Sequence, residues 1–307
     1  MSDVRIINAD VLDGLAQLES ESVQMCCTSP PYWQVRDYGV AGQIGLEKQP
    51  HEYIERMVAV FREVWRVLHP SGILWINLGD VYSSCGGDSG LSEKNLVGIP
   101  WRTALALQAN GWTLRSDVIW HRPNTMPESV TDRPTKSHEY VFLMSKSASY
   151  FYDAKAIAEV STDKGSINGR NVRWNDKSLV PGEDGLMRTR AGLMKRAPWT
   201  TYPTRNVRTV WAIPTDSYGG DHVATFPREL AERCIRAGSR IGDTVLDPFA
   251  GSGTTLMVAR SLGRDSIGIE INTEYVKLIE KRCLLPWEMT TPDKKSEQPS
   301  LFEDDTV

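Results

Sequence analysis

Residues 243–270 narrow most sharply what this chain can fold into. Asp243-Thr244-Val245-Leu246-Asp247 reads as a short buried strand, and Pro248 to Gly253 as a glycine turn. Thr254 or Thr255 then starts a helix that runs on through Leu262, and Asp265–Glu270 reads as a second buried strand ending in an acid. This succession is the repeating unit of a doubly wound α/β sheet, in which a ligand sits beyond the carboxyl ends of parallel strands. Glycines let the backbone approach that ligand closely, and the acid at the next strand end suits ribose hydroxyls. The segment lacks the G-x-G-x-x-G pattern of dinucleotide sites and the lysine of a phosphate loop, which argues against a pyrophosphate. A nucleoside without phosphates fits better. Asp247 at the first strand end suits a cationic amino-acid portion, and S-adenosylmethionine has both features.

More than two hundred residues earlier stands Thr28-Ser29-Pro30-Pro31-Tyr32-Trp33, directly after the apolar run Val23 to Cys27. It lies where a buried strand gives way to a loop. Two prolines fix φ twice and supply no N–H, so their carbonyls are free to meet a donor. The tyrosine offers a flat face for stacking. A planar base with an exocyclic amine is what such a corner can hold.

The rest of the chain supports one α/β domain with an interruption. Val4–Asn8, Val23–Cys27 and Gly72–Leu78 read as strands, and Asp10–Leu18 and Pro100–Ala109 as helices. Pro50–Leu68 carries apolar residues at 54, 57, 58, 61, 64, 65 and 68, a helical stripe. Leu114–Trp120 and Tyr140–Ser145 read as an edge hairpin, and Pro227–Ala237 and Thr273–Cys283 as further helices. From about Tyr150 to Val210 no periodicity is sustained.

Taken together, the two motifs resemble the amino-methyltransferases of DNA in the circularly permuted arrangement called the β class, of the N4-cytosine type. There the catalytic motif comes first, a target-recognition region follows, and the cofactor motif comes last. The likeness spans roughly Val4 to Cys283. Gly39 to Glu47 resembles that family's loop after the catalytic motif, and Thr225 to Leu230 its segment packed on the methionine end of the cofactor. The resemblance implies a seven-stranded, mostly parallel, Rossmann-like sheet, circularly permuted, with an inserted target-recognition region. It implies S-adenosyl-L-methionine as cofactor, held by Asp10, Thr28, Phe226, Pro227, Asp247, Phe249, Gly251, Gly253, Thr254 and Glu270, with Asp10 on the adenine amino group. Ser29, Pro30, Pro31 and Tyr32 become the catalytic set. Ser29 and the Pro30 carbonyl would take the hydrogens of the target amine, while Tyr32 stacks on the flipped base. Serine ahead of Pro-Pro-Tyr goes with N4 of cytosine in that family, and Asp or Asn with N6 of adenine, which is the alternative reading. Methyltransferases of RNA or of protein glutamine, and an inactive nucleic-acid-binding relative, are rivals. The basic insertion and the intact Asp247, Glu270 and Ser-Pro-Pro-Tyr set weigh against them.

Charge and cysteine usage sharpen this. The chain of 307 residues has a net charge of −4, which disfavours a polyanionic partner until the charge is located. Between Tyr150 and Val210 stand 11 Lys or Arg against 6 Asp or Glu, leaving that window +5 and the remainder −9. A local basic face is what phosphate binding requires. Arg170, Arg173, Arg188, Arg190, Lys195, Arg196, Arg205 and Arg208 are its candidate contacts to double-stranded DNA. The 5 cysteines lack C-x-x-C spacing and the histidines lack metal-ligand spacing, so no metal is expected. Cytosine-C5 enzymes attack through a cysteine after proline, and no Pro-Cys dipeptide occurs here, which excludes covalent catalysis of that type.

The domain expectation is 1–149 for the catalytic half, 150–212 for target recognition, 213–284 for the cofactor half, and 285–307 for a disordered tail. In that tail Gln298-Pro299-Ser300-Leu301-Phe302 resembles peptides that bind bacterial sliding clamps. A cognate restriction endonuclease is a further expected partner. With no signal peptide and no apolar run of about 18 residues, a soluble cytoplasmic protein of bacterial, archaeal or phage origin is expected.

Overall fold

The computed structural model describes residues 2–84, 89–161, 179–181, 187–189, 204–216 and 226–284. In chain order its elements are β1 (Val4–Asn8), α1 (Val11–Ala16), β2 (Val23–Thr28), α2 (Pro50–Val67), β3 (Leu68–Leu78), α3 (Ile99–Ala109), β4 (Thr113–His121) and β5 (His138–Ser145). Four short strands follow, β6 (Glu159–Val160), β7 (Leu179–Pro181), β8 (Met187–Thr189) and β9 (Thr204–Arg205). The chain closes with β10 (Val210–Ala212), α4 (Arg228–Gly238), β11 (Thr244–Asp247), α5 (Thr254–Ser261), β12 (Asp265–Glu270) and α6 (Thr273–Leu284).

Chain contacts divide the molecule into two units, Met1–Asp153 with Arg208–Val307, and Ala154–Val207. The boundaries fall at 154 and 207 rather than at 150 and 212, because Val210–Ala212 belong to the main sheet. In the smaller unit β6 pairs antiparallel with β9, and β7 with β8. Within it Arg205 Nε meets Glu159 Oε2 at 3.3 Å.

The larger unit is an eight-stranded sheet in the order β1-β12-β11-β2-β3-β5-β4-β10. Only β5 runs against the rest. The α/β class and mostly parallel sheet agree with the sequence reading, but the count of seven does not. The eighth strand, β10, adds to β4 in parallel, so the β4–β5 hairpin is internal instead of forming the edge. At three residues it is too short to show a period. Its hold is Trp211, which is buried against Trp75 with ring centroids 5.7 Å apart, while its indole donates to the Arg208 carbonyl. A buried aromatic of this size removes about 150–250 Å² from water, enough to fix a short strand.

All six residues of β2 are buried, as expected of a central parallel strand covered on both faces. β11 pairs with it in parallel, Leu246 opposite Cys26. β12 pairs with both β11 and β1, so strands from the two ends of the chain interleave. On α2 the buried stripe is Tyr53, Met57, Val60, Phe61, Val64 and Val67, rotated from the sequence expectation. Trp65 instead lies partly exposed with the Lys146 ammonium 4.3 Å from its ring. Pro50 opens the helix, and the Glu52 carboxylate accepts the Gln49 N–H. No helix among the described residues is long and apolar enough to cross a membrane.

Gly268 shows how closely α5 lies on the sheet. A Cβ there would stand 2.6 Å from Leu256 Cδ2 and 3.0 Å from the Ala250 Cβ. Gly268→Ala should therefore cost about 1–3 kcal/mol of stability by overpacking. Urea unfolding with an unchanged m-value and a lowered midpoint would show it, and an unchanged midpoint would refute it.

Candidate active site

Parallel strands place their carboxyl ends on one side, and Asn8, Thr28, Asp247 and Glu270 each end a strand there. Thr28 Oγ1 donates to Asp247 Oδ1 at 2.6 Å, and the Phe249 N–H donates to the same oxygen at 3.1 Å. Thr28 and Asp247 are both buried. Burial pushes the Asp247 carboxyl up to about 6, against the opposing pull of the Thr28, Thr255 and Phe249 hydrogen bonds. Next in the sheet, Glu270 Oε2 accepts the Gly251 N–H at 2.8 Å and Oε1 accepts the Asn272 N–H at 2.8 Å. Burial raises its carboxyl as well. A carboxylate offers about four lone-pair sites, so these backbone donors do not exhaust its capacity to accept hydrogen bonds. Gly251 takes φ +51°, the left-handed region in which a side chain would strain the turn.

The Ser29–Tyr32 corner is held from below. The Tyr53 hydroxyl donates to the Pro31 carbonyl at 2.9 Å, so that carbonyl meets its donor within the protein. The Trp33 indole donates to the Glu47 carbonyl at 2.8 Å, and the Gln34 N–H to that of Gly45 at 2.7 Å. Thus the Gly39 to Glu47 loop folds back beneath the motif. A Cβ on Gly45, at φ +107°, would come within 3.1 Å of the Tyr32 carbonyl. The Tyr32 hydroxyl donates to Glu139 Oε2 at 2.6 Å and accepts from Asn77 Nδ2 at 2.6 Å. Asn77 Nδ2 also donates to Glu139 Oε2 at 2.9 Å, and Ser29 Oγ donates to the Tyr32 oxygen at 3.3 Å. Arg122 Nη1 pairs with Glu139 Oε1 at 3.1 Å. Burial and the Glu139 carboxylate push the Tyr32 phenol well above its ordinary value, so it stays a proton donor.

Both sets of groups open on one cavity of about 870 Å³. Of the sequence candidates, Asp10, Ser29, Pro30, Pro31, Tyr32, Phe226, Asp247, Phe249, Gly251, Thr254 and Glu270 line it. Thr28 sits behind Asp247 as its hydrogen-bond support. Pro227 caps α4, with Phe226 ahead of it on the wall. Gly253, at φ +79°, is needed for packing, because a Cβ there would meet Ile279 at 2.8 Å. Asp10 also caps α1, its carboxylate accepting the Leu12 N–H at 2.9 Å.

Sequence reasoning missed Asn77, Asp80, Arg122, Lys136 and Glu139, which line the same cavity as the Ser29–Tyr32 corner. Lys136 Nζ donates to the Asp80 carbonyl. A signal for two of them existed. Asn77 interrupts an apolar run and Glu139 opens one, and a polar group buried in a strand needs a partner.

Arg170, Arg173, Arg190, Lys195 and Arg196 lie outside the described residues, as does Gln298–Phe302, and Arg188 is placed only as part of the β8 backbone. Arg205 lies in the smaller unit and Arg208 in the larger. Cys26 and Cys27 are buried within β2. Burial pushes the Cys26 thiol well up, and a hydrogen bond with Cys234 together with burial does the same for Cys27. Among the described residues no group of three or more His, Cys, Asp or Glu side chains is arranged to hold a metal.

Comparison with known proteins gives a consistent picture. The profile of the DNA methylase family for N6 and N4 amines matches residues 23–281. The Type II methyltransferase M.SmaI of Serratia marcescens is 42% identical over 300 residues, covering 91% of this chain and 90% of that protein. M.Cfr9I of Citrobacter freundii, also a Type II methyltransferase, is 40% identical over 302 residues, 92% of this chain and 88% of its own. Among solved structures, a protein of Thermus thermophilus assigned as a DNA modification methylase and complexed with S-adenosyl-L-methionine superposes with a TM-score of 0.59. Its identity is 27%, over 91% of this chain and 92% of that one. The cytosine-N4-specific PvuII DNA methyltransferase shares the fold at TM-score 0.65 with 20% identity, over 96% of this chain and 89% of its own.

The Asp247 carboxyl yields a pH test. Its native value of about 6 exceeds the ~3.9 of an unfolded aspartate, so the native state binds the proton more tightly. Stability from this group falls as pH rises from about 4 to about 6 and is level above that. Asp247→Asn keeps an acceptor for Thr28 and Phe249. It should make the ligand-free protein more stable at pH 7.5, by on the order of 2–3 kcal/mol, with the gap narrowed to about 1 kcal/mol at pH 4.5. Calorimetry of both proteins at the two pH values checks this, and a gap that does not change with pH contradicts it.

Proposed function

Because the chain belongs to the DNA methylase family that acts on N6 and N4 amines, we propose that it transfers a methyl group from S-adenosyl-L-methionine to N4 of a flipped cytosine in duplex DNA. The observation that carries this reading is the single cavity shared by the Ser29–Tyr32 corner and by Asp247 and Glu270. Its fit to the cofactor rests on the donor chemistry of the walls. Glu270 keeps lone pairs for ribose hydroxyls, and Asp247 is a buried carboxylate whose charge a neighbouring cation would stabilise. When bound, the cofactor supplies an electrophilic methyl on a sulfonium, which makes a protein nucleophile unnecessary.

What the chain's own groups must do is hold an amine. The exocyclic nitrogen of cytosine is a weak nucleophile because its lone pair is delocalised into the ring. Acceptors at Ser29 Oγ and the Pro30 carbonyl would bind its hydrogens and turn the lone pair toward the methyl. Positioning of this kind can supply several kcal/mol. Tyr32 lines the same cavity, and stacking of the base on its ring would be worth roughly 1–3 kcal/mol, offsetting part of the cost of unstacking the base. The ring is tied at its hydroxyl, and it passes so near Gly79 that a Cβ there would lie 2.5 Å from Tyr32 Cε2.

Serine at position 29 supports cytosine over adenine, and the N6-adenine reading remains the alternative because the family covers both amines. Residues 154–207, which hold all of the named basic candidates but Arg208, are proposed to read the DNA, arginine being suited to bidentate contact with guanine. A cognate endonuclease is proposed from the Type II character of the relatives.

Incubation with labelled S-adenosyl-L-methionine and duplex DNA, followed by digestion, should give labelled N4-methylcytosine. Labelled N6-methyladenine would select the other amine, and unlabelled DNA would refute the reading. Tyr32→Ala should lower kcat by about 10- to 100-fold while changing cofactor affinity less than about threefold. Glu270→Ala should act mainly on cofactor affinity. Equal effects of both variants on both quantities would contradict these roles.

A further inference from the structure

Glu139 is a buried carboxylate to which neither cofactor binding nor amine binding gives a task. It is the second residue of β5, the strand of the main sheet that runs antiparallel to both of its neighbours, and is 8% exposed. Its two oxygens face different partners. Oε1 takes Arg122 Nη1 at 3.1 Å, while Oε2 takes the Tyr32 hydroxyl at 2.6 Å and Asn77 Nδ2 at 2.9 Å. A structural carboxylate could have been satisfied by Arg122 and Asn77 alone. The third bond reaches into the catalytic corner.

We propose that Glu139 is a positioning residue that sets the direction of the Ser29 hydroxyl through Tyr32, so that Ser29 presents a lone pair to the amine. This rests on the reading of the cavity as an amine-methylating site. Donor order decides the direction. A carboxylate only accepts, so Tyr32 must donate its proton to Oε2. The phenol oxygen then acts as acceptor, taking Asn77 Nδ2 at 2.6 Å and the Ser29 hydroxyl at 3.3 Å. With its single hydrogen committed to Tyr32 and one lone pair facing Asn77 Nδ2 at 3.5 Å, Ser29 Oγ has only a lone pair left for the cavity. An amine with two hydrogens needs acceptors there; a hydroxyl turned the other way would present a donor to a donor. Asn77 secures the order, because its amide nitrogen is fixed toward Oε2 and cannot offer the phenol an acceptor. The Tyr32 phenol, held well above its ordinary value by burial and by Glu139, keeps the proton on which the order depends.

Glutamine at this position tests the direction and not merely the presence of the bond. Arg122 donates only, so it would draw the amide oxygen and leave the Gln NH2 toward Tyr32, reversing the chain. Glu139→Gln should lower kcat by about tenfold or more with cofactor Kd within about twofold, and Tyr32→Phe, which deletes the relay, should do the same. Combined, they should be no worse than the poorer single variant within about twofold, because both remove one coupled unit. Losses that multiply, or a cofactor Kd that shifts more than kcat, overturn the proposal. Should Glu139→Gln fail to fold, Glu139→Asp, whose shorter carboxylate withdraws from the Tyr32 hydroxyl, carries the same test in combination with Tyr32→Phe, again with non-multiplying losses expected and multiplying ones overturning it. Label on adenine with non-multiplying losses overturns the choice of base while supporting the relay. Label on cytosine with multiplying losses does the reverse.

Discussion

One hydrogen bond ties the two ends of the chain's chemistry together, that from Thr28 Oγ1 to Asp247 Oδ1 across 219 positions of sequence. It exists because β2 and β11 lie side by side in parallel, with their last residues on the same edge of the sheet. A carboxylate at such a depth is tolerated only with donors around it, and Thr28 and the Phe249 amide supply them. The same parallel pairing sets the loop after β2 against the glycine turn after β11. The cavity between them follows from strand order more than from any side chain.

The two halves of that cavity treat their acids differently. Asp247 and Glu270 are burdened by burial and eased by neutral hydroxyl and amide donors. That leaves a negative potential for which a cationic ligand is the natural complement. Glu139 instead faces Arg122 and spends its second oxygen on Tyr32 and Asn77. One side is arranged to attract positive charge, and the other to fix the order of its hydrogen bonds.

Much of this was legible in the chain because the informative elements are local. The glycine turn and its acid lie between positions 243 and 270, and the Ser-Pro-Pro-Tyr corner within a handful of residues, so spacing alone placed both at strand ends. What could not be read depends on long-range register. The three-residue strand around Trp211 has no period to detect, and its place beside β4 is decided by burial of that indole against Trp75. Glu139 is brought to Tyr32 by antiparallel pairing of β5 with β3, where Asn77 stands opposite Val141. Gly253 matches a ligand-approach glycine in sequence, yet the space it saves is occupied by Ile279. On α2 the Tyr53 ring, not Trp65, turns inward, since its hydroxyl has the Pro31 carbonyl to reach.

The interleaved order of strands bears on how the chain can assemble during synthesis. β2, β3, β4 and β5 are complete by Ser145, whereas β11 starts only at Thr244 and β12 at Asp265. Until then β2, with every residue destined for burial, is an open border strand. β1, the first strand made, pairs in the finished sheet only with β12 and so waits longest for its neighbour. Nascent chains halted before Asp243 therefore carry an unguarded apolar ribbon, the kind of border along which sheets of separate molecules fuse.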